Sequence, residues 1–218
     1  FDLTLNRKTI STLQKLEKEN LIEGQNDNKL GESPIFKLTD EGFKTIILNF
    51  PVFRFTKEKW DHIFRILSYE IPEKKRELRD KLRREVASWG LGPWHRSFWL
   101  TPHPIIPSLK ELVSKKAEEQ YIQAFESKHA FGDTDILIEK VWEKSKLENT
   151  YRKLFKKWHE ILSKDIEKEK KMIAVVTSYI EVLKNDPGLP SELLGDKWIG
   201  YEAINLFREI RNILLATK

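Results

Sequence analysis

The sequence contains no cysteine, and its single methionine is Met172. The absence of cysteine excludes disulfide bonds, thiolate catalysis and cysteine-ligated zinc. Since stable disulfides belong to oxidising compartments, a chain without cysteine fits a reducing one, and we expect a cytoplasmic protein. No apolar run approaches the roughly 18 residues of a membrane-spanning helix, and no signal peptide is visible. We therefore expect no membrane partner.

Several common catalytic motifs are also missing. The chain has no glycine-rich phosphate loop, no dinucleotide fingerprint and no nucleophile elbow. Its five histidines show no paired spacing of the kind that holds zinc; they are His62, His95, His103, His129 and His159. We expect no cofactor, no metal and no enzymatic activity from these patterns.

The charge balance is only mildly basic. Lys and Arg number 39 against 34 Asp and Glu, so the net charge is +5. Such an excess suits a partner that carries phosphates without demanding one. With 218 residues, of which 33% are charged and 11% aromatic, the chain predicts a folded protein of one large domain or two to three small ones.

Residues 1–52 predict a helix followed by a β-ribbon. Ile10, Leu13 and Leu16 recur at helical spacing after Asn6, which is placed to cap the helix. Short apolar strands at 21–23 and 35–39 flank a polar, turn-rich loop, and a second helix should follow at 43–49. The order of helix, strand, loop and strand is typical of the C-terminal half of a winged helix-turn-helix, although an arbitrary α+β hairpin gives the same pattern.

Residues 53–131 predict a ferredoxin-like βαββαβ unit. A strand at 62–71 is apolar on both faces, as a central strand should be. The following basic helix buries a stripe of four residues, namely Leu78, Leu82, Val86 and Trp89. A short aromatic hairpin follows near residues 94–100, then a second helix at 108–119 and a closing strand at 121–125.

Residues 132–218 predict a helical domain. Asp133 or Thr134 caps the first helix, and a charged stretch at 164–171 interrupts a long amphipathic stripe. The sequence Asn185-Asp186-Pro187-Gly188-Leu189-Pro190 predicts a firm break before a final helix at about 200–215. The fold class expected for the whole chain is therefore α+β.

The three segments together resemble the PaaX family of transcriptional repressors over essentially all of the chain. WDHIFRILSYEIPE, GLGP and SFWLTPHP are similar to the family's central domain, and DPGLPSELLGDKWIGYEAINLF to its C-terminal signature. NRKTISTLQKLEKENLIE and IFKLTDEG are similar to its recognition helix and wing. The resemblance implies a dimeric repressor that an aryl-acyl-CoA effector releases from double-stranded DNA. The first two helices of the winged domain are missing before Phe1, so we expect a partial winged helix.

The DNA contacts are expected on the recognition helix and the wing. A winged helix inserts the N-terminal part of its recognition helix into the major groove, where Arg reads bases and Lys and Thr hold phosphates. The predicted contacts are Asn6, Arg7, Lys8, Ser11, Thr12 and Lys15 on the helix and Lys29 on the wing. A solvated helix face is the alternative, because residues 1–50 carry seven basic and eight acidic groups.

The aromatic hairpin is the predicted effector site. Trp94, His95, Arg96 and Trp99 combine aromatic rings with cationic groups, which suits a small anionic or acyl-CoA-type effector, although core aromatics beside an edge arginine give the same pattern. The basic helix at 74–84 carries interleaved acidic residues, so a solvated face with local ion pairs is favoured there over a phosphate site.

Glu70 supports a rival hypothesis. The central unit also resembles the small ferredoxin-like nuclease family of CRISPR adaptation, in which an Asp ends the first strand at a dimer interface. There, paired carboxylates can hold a divalent metal that activates water. Glu70 occupies the matching position in this chain, so a metal-dependent nuclease is the alternative to a regulator.

Overall fold

The computed structural model describes residues 7–25, 35–55, 59–117 and 119–216, which form a mixture of helices and small antiparallel sheets. The expected α+β class is confirmed at this level. Within the described ranges, no helix has both the length and the apolar character needed to cross a membrane.

The N-terminal segment is a helix, a two-stranded ribbon and two further helices. Its elements are α1 (Arg7–Lys18), β1 (Ile22–Gln25), β2 (Ile35–Leu38), α2 (Asp40–Asn49) and α3 (Pro51–Arg54). β1 and β2 are antiparallel, with Ile22 opposite Leu38. The strand after α1 starts one residue later than the sequence predicts, because Asn20 adopts a left-handed conformation and Leu21 is still in the turn.

Thr39 joins the two ends of the β1–β2 ribbon. Its hydroxyl donates to the Asn20 carbonyl at 2.6 Å and accepts the Gly42 N–H at 3.0 Å, which caps α2. Gly42 is needed here because a Cβ atom would lie 2.0 Å from the Leu21 carbonyl oxygen. The contact holds the start of α2 against the corner between α1 and β1.

The central segment is one antiparallel sheet with two helices. Its elements are β3 (Phe64–Tyr69), α4 (Arg76–Ser88), β4 (Gly92–His95), β5 (Phe98–Thr101), α5 (Ile106–Val113) and β6 (Ile122–Ser127), and the strand order is β4-β5-β3-β6. The predicted strand at 62–71 is two residues too long at each end. His62 is left-handed, and Asp61 Oδ1 accepts the Ile63 N–H, so extended pairing begins only at Phe64.

The predicted helix at 108–119 is wrong in its bounds. α5 begins two residues earlier, with Pro107 in its first turn. It ends at Val113 because Ser114 is extended and Lys115 is left-handed, and the Lys115 N–H is held at 2.8 Å by the Glu119 carboxylate.

The two faces of β3 are buried in different hydrophobic cores. Leu67 and Tyr69 pack with α4 and α5, and the predicted stripe of α4 is confirmed there. Phe64 and Ile66 point the other way and pack with the C-terminal helices. β3 is therefore covered on both sides, as the apolar residues on both of its faces predict.

The C-terminal segment is helical, as predicted. Its elements are α6 (Thr134–Trp142), α7 (Lys144–Ser163), α8 (Lys168–Leu183), α9 (Ser191–Leu194) and α10 (Ile199–Leu215). Asp133 caps α6 by accepting the Ile136 N–H at 3.0 Å. Trp158 is buried at the centre, where its indole N–H donates to Ser178 Oγ at 3.0 Å.

Candidate functional site

The predicted DNA contacts that the structure describes lie on one exposed face of α1. The side chains of Arg7, Lys8, Ser11, Thr12 and Lys15 are all exposed, and their spacing places them along successive turns of the helix. α1 carries four basic residues against one acidic residue, Glu17. Asn6 and Lys29 lie outside the described residues. These five residues form a polar, positively charged helix face that is open to a partner.

Two arginines of the basic helix α4 pair with nearby carboxylates. Arg79 pairs with Glu73 at 2.6 Å, and Arg76 with Asp80 at 3.6 Å. Arg79 also lowers the pKa of the Glu73 carboxyl by hydrogen bonding and charge attraction. The local ion pairs expected from the sequence are present, which favours a solvated face over a phosphate-binding site.

The hairpin between β4 and β5 brings together three of the four predicted effector residues. Trp94, His95 and Arg96 are exposed at its tip. Trp99 is separate from them, because it is buried in the core and its indole N–H donates to the Tyr69 hydroxyl at 3.3 Å. The hairpin tip is therefore an open aromatic and cationic surface. Trp99 is not part of that surface, because it packs in the core.

Glu70 is exposed just after the end of β3, and its N–H donates to the Tyr121 carbonyl at 2.9 Å. Among the described residues, no three His, Asp or Glu side chains are grouped closely enough to hold a metal ion. Glu70 is thus a single carboxylate at the position that the nuclease hypothesis assigns to it.

A cavity of about 350 Å³, which we call the junction cavity, lies where three parts of the chain meet. Its walls come from α3, from the turn after β5 and from the C-terminal elements α7 to α10. The residues that line it include Val52, Phe53, Trp60, His103, Tyr179 and Trp198. The sequence did not predict this cavity, although several residues of the C-terminal signature line it.

Asp186 is a buried carboxylate in the cavity wall. Its Oδ2 accepts the Tyr151 hydroxyl at 2.5 Å, and its Oδ1 accepts the Gly188 N–H at 2.8 Å. Burial raises the pKa of Asp186 and also that of Tyr151. Each Asp186 oxygen therefore has a partner inside the protein, so this side chain holds the loop between α8 and α9 in place.

His103 is a buried histidine in the cavity wall. Its ring stacks on Phe55 with centroids 4.5 Å apart, and only 6% of the residue is exposed. Burial lowers the pKa of His103 to about 4, so the ring is neutral at pH 7. The carbonyls of Pro187 and Gly188 favour its protonated form, yet Nε2 makes no hydrogen bond of acceptable geometry with the described part of the chain.

Close packing joins the cavity wall to the start of α3. Gly188 has a φ of +67°, and a Cβ atom on it would lie 2.6 Å from the Val52 Cα. Only glycine fits both the backbone conformation and the space. The loop that carries Asp186 is therefore in direct contact with α3, the last helix of the N-terminal segment.

Comparison with known proteins gives two family matches. Residues 57–137 match the family model described as the PaaX protein central Cas2-like domain, and residues 142–217 match the PaaX-like protein C-terminal domain. A search of curated proteins found no match. Among solved structures, the chain is similar to the uncharacterized protein Rv0674 from Mycobacterium tuberculosis, with a TM-score of 0.63 and 14% identity. That alignment covers 97% of this chain and 82% of the other, and it shows a shared fold.

Proposed function

Because the chain belongs to the PaaX family, we propose that it is a transcriptional regulator, acting as a repressor, that binds double-stranded DNA as a homodimer. The observation that carries this proposal is the exposed, basic face of α1, followed by a β-ribbon and the capped helix α2. That order supports a winged helix with α1 as its recognition helix, and the first turn of such a helix meets base edges and phosphates.

We propose a three-part organisation for this regulator. Residues 1–52 form the partial winged helix, 53–131 a ferredoxin-like domain and 132–218 the helical domain. The strand order β4-β5-β3-β6, with α4 and α5 on one face, supports the ferredoxin-like assignment. The central domain is the proposed dimerisation unit, since the family model names it as Cas2-like. We also propose a cytoplasmic location, because a DNA-binding protein without cysteine suits a reducing compartment.

The hairpin remains the proposed contact for a small anionic or acyl-CoA-type effector. Arg96 supplies a positive charge, and Trp94 and His95 supply rings beside it at the exposed tip. An acyl-CoA carries phosphates that an exposed arginine can hold. Trp99 serves in this proposal by fixing the hairpin from the core side.

Fluorescence anisotropy of the full-length protein tests the DNA-binding proposal. The duplex is the DNA upstream of its own gene, compared with a scrambled duplex of the same composition. We expect Arg7→Ala with Lys8→Ala to weaken specific binding about tenfold or more, because two basic contacts are lost. Arg211→Ala, which removes an exposed charge from α10, is the matched control. Equal affinity for the upstream and scrambled duplexes contradicts the regulator proposal.

The alternative is a metal-dependent nuclease built on the central domain. It is favoured by the exposed carboxylate of Glu70 after β3 and by the Cas2-like description of this region. Two such carboxylates across a dimer could hold Mg²⁺ or Mn²⁺ near a phosphodiester. Incubation with either ion and labelled DNA tests it. Cleavage that is lost in Glu70→Ala but kept in Glu77→Ala, an exposed acid on α4, would establish the nuclease and displace the regulator proposal.

A further inference from the structure

The junction cavity has the size and walls of a site for one small ring compound. Its volume of about 350 Å³ is near the lower end of the range for small-molecule pockets. A far smaller apolar cavity, on the order of 150 Å³, is enough for benzene. The junction cavity therefore has room for one ring or two fused rings with a substituent, and too little for a nucleotide-bearing thioester.

Aromatic side chains form much of the cavity wall. Phe53 of α3 and Trp60, which precedes β3, line one side of the cavity. Tyr179 and Trp198 line it from the C-terminal helices. Trp198 is fixed by an edge-on contact with Tyr151, whose ring centroid is 5.9 Å away. Rings held in this way favour an aromatic ligand through stacked and edge-on contacts.

The polar groups of the cavity select against a negative charge. Asp186 is its buried acid, and Lys59 and Glu192 are exposed residues of opposite charge at its rim. Among the described lining residues, none places a buried cation beside a ligand. An anion would therefore lose its hydration beside the buried Asp186 and would gain only the solvent-exposed Lys59 as a counter-charge. The ring of His103 is buried in the wall and stacked on Phe55, and it is neutral at pH 7, so it supplies no positive charge.

We propose that the junction cavity is a binding site for a compact, uncharged aromatic molecule. The site is separate from the exposed hairpin and selects a different ligand charge. It uses residues from all three parts of the chain, so an occupied cavity joins them.

The position of the cavity gives the ligand a regulatory consequence. Val52 and Phe53 belong to α3, which connects the ribbon and α2 to the rest of the molecule. A ligand that contacts them stabilises one placement of the N-terminal segment, and DNA affinity then changes with occupancy. This consequence rests on the proposed function, whereas ligand binding itself does not.

Calorimetric titration of the full-length protein without DNA tests the ligand class. Benzamide and benzoate are the probes, since they share a shape and differ in charge. We expect benzamide to bind with a Kd in the low millimolar range, about what a ligand of its size can reach. Benzoate should bind at least about tenfold more weakly. No benzamide binding at roughly 10 mM, or benzoate binding as tightly as benzamide, overturns the proposal.

Two substitutions on α10 test the location. Ile204 lines the cavity and is 40% exposed, whereas Ile213 is 67% exposed and is not part of the lining. Ile204→Trp should narrow the mouth and weaken benzamide binding at least about tenfold, because added volume displaces the ligand. Ile213→Trp should leave the affinity unchanged. Equal effects of the two variants contradict the assignment.

The wild-type protein supplies a readout that does not depend on a variant folding. In ¹⁵N-labelled protein, benzamide should shift the indole N–H signal of Trp198 and leave that of Trp99, in the other core, in place. Shifts confined to Trp99 would place the ligand elsewhere and overturn the proposal. Failure of upstream-DNA binding in the absence of any probe removes the regulator proposal and leaves the ligand site standing.

Discussion

His103 gives the protein a stability that depends on pH. In the unfolded chain its ring takes up a proton near pH 6.5, but in the folded protein only near pH 4, because it is buried. Between these values the unfolded state binds more protons, so stability is complete above about pH 6.5 and falls as the pH falls toward 4. We expect this group to contribute a loss of up to a few kcal/mol across that window.

Urea unfolding at a series of pH values measures this effect. His103→Gln keeps a polar side chain that does not titrate, so its unfolding free energy should fall less between pH 6.5 and 4 than that of the wild type. His159→Gln replaces a histidine that is exposed on α7 and serves as the control. Parallel pH profiles for wild type and His103→Gln would show that the ring is not held neutral by burial.

The bond between Tyr151 and Asp186 leads to a second prediction. Tyr151→Phe removes the donor to Oδ2 and leaves a buried carboxylate oxygen without its partner, which should cost about 1–3 kcal/mol. Tyr179→Phe is the matched control, because this buried tyrosine of the same core donates no hydrogen bond in the described structure. Urea denaturation of both variants measures the difference in the free energy of unfolding. Equal losses in the two variants would show that the Tyr151–Asp186 hydrogen bond contributes no more than ordinary packing.

The loop between α8 and α9 depends on Gly188, as a third substitution can show. Gly188→Ala places a methyl group 2.6 Å from the Val52 Cα at a φ of +67°, whereas Gly195→Ala at a φ of +80° meets nothing within 4 Å. Both changes strain the backbone by about 1 kcal/mol or more. Only Gly188→Ala should also displace α3, so we expect it to lower the melting temperature further and to speed proteolysis near residue 52. Equal melting temperatures would argue against a tight contact.

Elements with strong local signals could be predicted from the sequence. The apolar stripe of α4, the cap at Asp133 and the proline-rich break before α9 all act within a few residues, and the structure confirms them. The end of α5 could not be predicted in this way. It depends on the left-handed Lys115 and on a carboxylate four residues later, although the sequence there continues to favour a helix.

The candidate sites show the same division between local and long-range information. The exposed face of α1 follows from helical spacing alone, so five of its predicted contacts could be placed from the sequence. The junction cavity brings His103 next to a loop more than 80 residues away, and no local pattern records that meeting. His103 and the Asp-Pro break were visible separately in the sequence, but neither the burial of the histidine nor its meeting with the break could be predicted, because tertiary packing produces both.

The whole molecule is organised around a sheet that two cores share. Leu67 and Tyr69 belong to one core, and Phe64 and Leu100 belong to the other, together with the C-terminal helices. β3 contributes to both, so the central and C-terminal parts should unfold together. The N-terminal segment differs, because α1 has no buried residue and is tied to the body mainly through α3.

Hydrogen exchange followed by mass spectrometry tests this arrangement as a final prediction. We expect amides of β3 and α7 to exchange at similar, slow rates, and those of α1 at least about a hundredfold faster, because it opens locally. Phe64→Ala removes a ring that packs between the sheet and the helices and should destabilise the protein by about 3–5 kcal/mol. The substitution should raise the amide exchange rates of β3 and α7 by the same factor. Phe131→Ala, at a residue that is 96% exposed, should change neither region. If Phe64→Ala speeds exchange in β3 and leaves α7 protected, the two parts unfold independently and the shared sheet does not couple them.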